Sequence, residues 1–563
     1  VEDPEAPTEV DAILAEPAEP AATASTGDPA PPRPRSPWLV DATTPVLGGI
    51  DRWWAGLPDA ARTAVRWGAP AAVIVTAAAT RLVGLGSPHE LVFDETYYVK
   101  DAWSLRHLGF ESGWPDGADE RFAAGETDIW TGTAAFVVHP PLGKWIIGLG
   151  MAALGADDPA SWRISMAILG ILSVVLVMVA GRLLTGSLAL ATIAGGLMAI
   201  DGNAIVMSRI GILDNALSTL ALLGFLCIVL DRRWAQRRLD AWLLARDRTA
   251  RTPSLGPVLW WRPWLIAAGV ALGAASAVKW SGFTFLAAFG ILTVVSDLLM
   301  RRAAGVEGAI TGTLLRQAPV SALLLVPPAL ATHMASWIGW FRSDGGYHRH
   351  WAEQAGNAWT GALAWVPTSL QSWWHFQVVT YNYHVGESRE HSYQADAWMW
   401  PLLIRPTSFW FQSSARGERG CGADECWAQI TDLPNPIIWW AATAAIVFLI
   451  VQLVRGRAGW PALFVVAGFA AGWVPWLCYP ERTIFQFYAI AFEPYMVLAL
   501  AMAIGAVAGS RRGDPDRRRV GVTVVIAFLG VAALASVFFW PVWTGEQLEP
   551  WQMALRWWLP SWR

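Results

Sequence analysis

The chain has 563 residues, 54% of them hydrophobic and only 15% charged, with a formal net charge of −4. A soluble domain carries about a quarter charged residues, so this chain lacks the polar surface of one. The small net charge and the lack of a basic motif exclude a nucleic-acid partner.

Residues 1–46 are rich in Pro, Ala, Glu and Asp and are expected to be a disordered cytoplasmic tail, too poor in apolar side chains to offset chain entropy. The following apolar runs approach the length a helix needs to cross hydrocarbon. A first span is predicted over Trp67–Leu85, then a polar outer loop over 86–138. The short apolar run from His139 to near Gly155 holds Lys144 in its first turn and reads as an interfacial or re-entrant helix. Six spans follow: Ile164–Leu184, Leu188–Met207, Ile210–Leu230, Trp264–Trp280, Phe283–Met300 and Pro319–Trp340. A second large outer loop covers 341–435. Four more spans, Pro436–Val454, Trp460–Tyr479, Ile484–Val507 and Val520–Trp540, bring the total to about eleven, and a Trp-rich tail, 541–563, ends the chain. The polytopic catalytic domain is therefore expected over 47–540, all-α.

Arginine placement orients these spans. Arg62 and Arg66, the Arg-rich segment Arg232–Arg251, Arg301 and Arg302, Arg455 and Arg457, and Arg511–Arg519 all fall on one side if there are eleven spans. That side is the cytoplasm. The N-terminus is then cytoplasmic, and both large loops and the C-terminus are extracytoplasmic. Lysine is nearly absent beside abundant Ala, Gly and Trp. This composition resembles that of a high-GC bacterium and favours a plasma membrane. Trp residues at span ends suit an aromatic belt.

Chemistry-bearing residues gather on the outer side. Phe93-Asp94-Glu95-Thr96-Tyr97-Tyr98 places adjacent carboxylates just past a span; one can take a proton from a hydroxyl while the other holds the acceptor. The competing reading is a solvated acidic loop. Arg81, Arg163, Lys279, Arg405 and Arg482 fall near the outer leaflet, with Arg209 and Asp214 at a span junction. Intramembrane ionisable groups are costly and usually functional, and a ring of cations suits a lipid phosphate; each alone is equally a snorkelling or structural charge. His384 and His391 lie in the second loop, where ordinary loop hydrogen bonding competes with metal binding, and no metal site is expected. Cys421 and Cys426 share that polar loop, and a local disulfide follows if it faces an oxidising compartment.

These segments resemble the dolichyl-phosphate-mannose–protein mannosyltransferase family in its bacterial form. The Asp94-Glu95 segment resembles its first-loop motif, and His139-Pro-Pro-Leu-Gly-Lys144 the segment after it. Arg209-Ile-Gly-Ile-Leu-Asp214-Asn215 is similar to its membrane motif. His391-Ser-Tyr393 with Trp398-Met-Trp400-Pro-Leu-Leu-Ile-Arg405-Pro is similar to its later outer-loop segment, and Pro480-Glu-Arg482 with Phe485, Phe487 and Tyr488 to its late cluster. Two departures stand out. The second loop is too short for the β-trefoil module of eukaryotic members, and Ser392 replaces the family's Pro. The cysteine pair resembles a local feature of bacterial members.

The resemblance implies a GT-C fold and inverting transfer of mannose from polyprenyl-phosphate mannose to Ser/Thr hydroxyls of secreted polypeptides. Asp94 is implied as base and Glu95 as the residue orienting the acceptor. Arg163 is the first choice for the donor phosphate, with Arg81, Lys144, Arg405 and Arg482 as further candidates. Arg81 serves equally as an ion-pair anchor of the carboxylate loop. His139, Asp214, His391, Trp398 and Trp400 are further site candidates. No cofactor is expected, because the lipid-linked sugar is a substrate. Expected partners are that donor, membrane lipids, secreted polypeptides and the secretion translocon. The alternatives are a GT-C enzyme glycosylating a lipid or glycan, and a transporter; the latter predicts inverted repeats, and the sequence has none.

Overall fold

The computed structural model describes residues 56–245, 254–510 and 513–563. The expected N-terminal tail lies outside them, as do Arg246, Arg248, Arg251, Arg511 and Arg512. The described chain is mostly helical. Its helices are α1 (Asp59–Leu82), α2 (Glu95–Leu108), α3 (Leu142–Leu154), α4 (Pro159–Thr185), α5 (Leu188–Ile200), α6 (Gly202–Arg209), α7 (Asp214–Ala245), α8 (Pro263–Val278), α9 (Gly282–Ala303), α10 (Ala309–Ser336), α11 (Thr368–Gly386), α12 (Pro436–Val454), α13 (Trp460–Cys478), α14 (Glu493–Ala508) and α15 (Pro515–Thr544).

Among the described residues, seven helices (α4, α7, α9, α10, α12, α13 and α15) are long and apolar enough to cross a membrane. The chain is a multi-pass membrane protein. The remaining expected spans fall on elements that depart from a simple hydrophobic rod. The first is α1, whose apolar stretch carries Arg66 and Arg81. The fifth and tenth are α8 and α14, with 16 residues each. The short run at Lys144 is the 13-residue helix α3, which at about 1.5 Å per residue falls well short of the hydrocarbon thickness.

The third expected span is two helices, α5 and α6, bent by 59°. Asp201 breaks it: its backbone is extended, and its side chain accepts from the Asn203 amide, capping α6. Gly202 is required at the bend, because a Cβ there would lie 2.2 Å from the Leu433 carbonyl oxygen. Arg81 donates to the Met198 and Ala199 carbonyls that end α5. Arg209, ending α6, donates to the Thr80, Val83 and Gly84 carbonyls at the end of α1. Each guanidinium thus satisfies carbonyls that a helix end leaves without intrahelical partners.

The second large loop, 341–435, holds more regular structure than its polar composition suggests. It contains α11 and an antiparallel hairpin, β1 (Thr407–Ala415) and β2 (Glu425–Asp432), the one sheet among the described residues. Cys421 and Cys426 form a disulfide near the hairpin tip. The tail is packed rather than loose: Trp562 is buried and donates to the Leu403 carbonyl.

Candidate active site

Asp94 is the residue before α2, in the first large loop. The preceding Phe93 has φ of 50°, a left-handed conformation that costs a non-glycine residue energy and recurs at functional sites. Its ring is pinned edge-on by Phe409, Phe485 and Phe487 at 5.0–6.0 Å between centroids. The packing holds the turn that presents Asp94. Asp94 is partly exposed, whereas Glu95 is fully buried.

The two carboxylates differ in every contact. Glu95 accepts from Arg163 Nε and a terminal nitrogen at 2.8 Å each, from the Val92 amide at 3.0 Å and from the Gly211 amide at 2.6 Å. Arg163 spends its other donors on the Leu85, Pro88 and Glu90 carbonyls. A guanidinium has five N–H groups, and all five are engaged by protein oxygens. This buried fork clamps the loop from Leu85 to Glu95 onto α4 and leaves no donor for a phosphate.

Asp94 faces other charges. Burial pushes its carboxyl up to about 6, opposed by the Lys279 ammonium; Asp214 pushes the same way as burial, and a hydrogen bond from the Tyr98 hydroxyl opposes it. Lys279 follows α8 directly and pairs with Asp214, the first residue of α7, at 2.7 Å. Its ammonium lies 5.0 Å from the Tyr488 ring centre.

Lys279 and Asp214 line a cavity of about 270 Å³ with His139, His384, Arg482 and Tyr488. Here donors outnumber acceptors. His384 Nε2 lies 2.7 Å from the Val138 carbonyl, so it carries the proton; Nδ1 then accepts from Arg482 at 3.0 Å. Burial, then the Arg482 charge, holds the His384 imidazole down at about 4, hence neutral. Arg482 Nε and His139 Nδ1 are buried without a partner. The His139 and His384 rings stack at 5.3 Å.

The structure disperses several other expected site residues. Arg81 is fully buried at the α5 terminus, as described. Lys144 is buried between Glu111 and Asp101 of the first loop, a charge balance that ties α3 to α2. Arg405 donates to the Ser392, Ser561 and Arg563 carbonyls, fastening the second loop to the tail. His391 Nδ1 accepts from the Tyr393 amide, and its ring meets Phe485 edge-on at 5.0 Å, supporting the Phe93 cluster. Trp400 is buried in the core, while Trp398 is 51% exposed. Of the donor-phosphate candidates, Arg482 alone lines the cavity. Lys279, His384, Tyr98 and Tyr488 complete the site. Lys279 and the late aromatic run were visible as a membrane-edge cation and a motif; the pairing of Lys279 with Asp214 joins positions 65 residues apart, and no local pattern signals it. Among the described residues no group of three or more His, Cys, Asp or Glu is arranged to hold a metal ion.

Residues 120–334 match the family described as dolichyl-phosphate-mannose-protein mannosyltransferase, and residues 369–562 match the C-terminal four TMM region of protein-O-mannosyltransferase. The chain is 31% identical over 506 residues to the polyprenol-phosphate-mannose–protein mannosyltransferase of Mycolicibacterium smegmatis (strain MKD8), covering 88% of this chain and 93% of that one. It is 30% identical over 510 residues to the Mycobacterium tuberculosis (strain CDC 1551 / Oshkosh) protein of the same name, covering 88% and 92%. Its fold matches a chain of the S. cerevisiae protein O-mannosyltransferase Pmt1-Pmt2 complex bound to the sugar donor, with a TM-score of 0.65 at 16% identity over 90% of this chain and 94% of that one. This is the GT-C fold that the resemblance implied, and the chain belongs to the protein O-mannosyltransferase family.

Proposed function

We propose that this protein transfers mannose from polyprenyl-phosphate mannose to Ser or Thr hydroxyls of polypeptides, with inversion, at the outer face of a bacterial plasma membrane. Asp94 takes the hydroxyl proton as the oxygen bonds to the anomeric carbon. The bond from that carbon to phosphate breaks in the same displacement, and polyprenyl phosphate leaves with one more negative charge than it held as a diester. Developing charge is best met by donors already in place. Arg482 and Lys279 are those donors, with His139 beside them. Glu95 and Arg163 hold the loop that carries the base. Acceptors reach the site as unfolded chains, which favours delivery near the secretion translocon.

The observation that carries this reading is a partly exposed Asp94 facing Lys279, which lines a cavity where Arg482 Nε and His139 Nδ1 have no partner. The test uses purified enzyme in lipid, radiolabelled polyprenyl-phosphate mannose and a Thr/Pro/Ala-rich peptide. Label reaches the peptide with the wild type and not with Asp94→Asn. Label passing to a glycolipid instead of the peptide would overturn the protein-acceptor reading.

A further inference from the structure

The hairpin beside the catalytic loop has one free edge. The outer side of β2 is covered: Trp427 exchanges both backbone hydrogen bonds with Leu548, and Gln429, facing the same way, is buried. Trp427 is also the register partner of Ser413 on β1. A residue whose N–H and C=O point away from its partner strand belongs to a non-hydrogen-bonded pair, and so does the residue opposite it. The N–H and C=O of Ser413 therefore point away from β2. Alternation gives Phe411 the same orientation. Ala415 shares it, but the turn satisfies its groups, with its amide donating to Glu418 and its carbonyl accepting from the Glu418 amide. Phe411 and Ser413 are exposed, and neither makes a backbone hydrogen bond outside the hairpin.

This edge runs into the active site. Phe409 is the extra residue of a β-bulge, where the register shifts between Ser408 and Trp410; bulges re-aim side chains beside active sites. Its ring packs on Phe93 at 5.0 Å, next to Asp94. Trp410 donates to Glu90 of the same catalytic loop at 2.8 Å. From Phe411 to the bulge is two residues, about 7 Å of strand.

We propose that the acceptor polypeptide binds as a third strand on the open edge of β1, paired to Phe411 and Ser413, which brings its hydroxyl residue past the Phe409 bulge to Asp94. The inference rests on the protein-acceptor function proposed above. Unpaired edges are templates for extended chains, and main-chain pairing supplies affinity without reading side chains. Acceptors are then selected for being extended and unfolded. Every second acceptor residue turns its N–H toward β1, and the residues between turn theirs away.

A peptide scan with wild-type enzyme tests this. A Thr-containing acceptor is N-methylated singly at successive positions, and kcat/KM for the peptide is measured at saturating donor. Methyls of one parity lower it about three- to tenfold, the scale of one net hydrogen bond, while methyls of the other parity leave it near the parent value. In parallel, Ser413→Pro removes only an outward N–H, which an edge strand tolerates. It raises KM for the acceptor and not for the donor, in enzyme whose melting temperature is that of the wild type. Equal effects at both parities overturn the docking proposal while transfer to the parent peptide continues. No transfer to the parent peptide overturns the protein-acceptor function along with it.

Discussion

Asp94 and Glu95 are consecutive in sequence, yet they belong to two different environments. Glu95 and Arg163 form a closed pair in which every guanidinium N–H has an oxygen. Asp94 faces Lys279 and Asp214, which line a cavity where Arg482 Nε and His139 Nδ1 have no partner. Buried polar groups are usually satisfied within a folded chain, and the two partnerless nitrogens here share one cavity with Lys279. Completeness of hydrogen bonding separates Arg163, whose donors are all engaged, from Arg482, whose Nε is not. Arg163 is the most heavily bonded of the expected phosphate ligands and for that reason the least available.

The largest effect should fall on the open side. Asp94→Asn removes the base, and kcat falls about 10²–10⁴-fold in a labelled-peptide assay with no loss of folded enzyme. Similar residual activity in Asp94→Asn and wild type would break the assignment. On the closed side, Glu95→Ala leaves Arg163 buried without its counter-charge and costs about 3–5 kcal/mol. It is read as lost thermal stability in detergent, with the folded fraction still binding donor. Arg482→Gln takes a charged donor from the cavity. KM for the lipid donor rises about 10–100-fold, on the scale of one charge-assisted hydrogen bond, while melting temperature holds.

The pH profile sharpens the same contrast. The proposed base, Asp94, can take a proton only when ionised, and its carboxyl is pushed up to about 6. Activity therefore rises with pH through about 6 and levels above it, until another group intervenes. A profile already flat from pH 4.5 would place the base elsewhere. Least affected is Trp398→Ala: the side chain is half exposed and donates only to Asp396, so stability changes by under about 0.5 kcal/mol. Trp400→Ala, two residues on in the core, costs about 3–5 kcal/mol.

Much of this was legible in the sequence. Runs of hydrophobic residues predict the long helices, and the Asp94-Glu95 pair and Arg482 are conspicuous charges between them. Hydropathy averages over Asp201 and Gly202 and so predicts one span across α5–α6; the bend packs against Leu433, whose carbonyl meets Gly202, and Asn435, whose amide donates to Asp201, more than 200 residues away. The hairpin was hidden for a similar reason, since a polar loop with Trp and Phe lacks the clean alternation of a half-buried strand. Arg163 looked like a ligand because a buried cation is conspicuous in sequence, whereas the five oxygens around it come from the backbone and from Glu95.

The crossed caps of Arg81 and Arg209 impose an order on biogenesis. The carbonyls that end the first helix are closed by a side chain made 129 residues after Thr80. Arg81 in turn waits for the Met198 and Ala199 carbonyls. A chain that stops short of residue 209 therefore leaves the last carbonyls of α1 without the side-chain cap that the folded protein gives them.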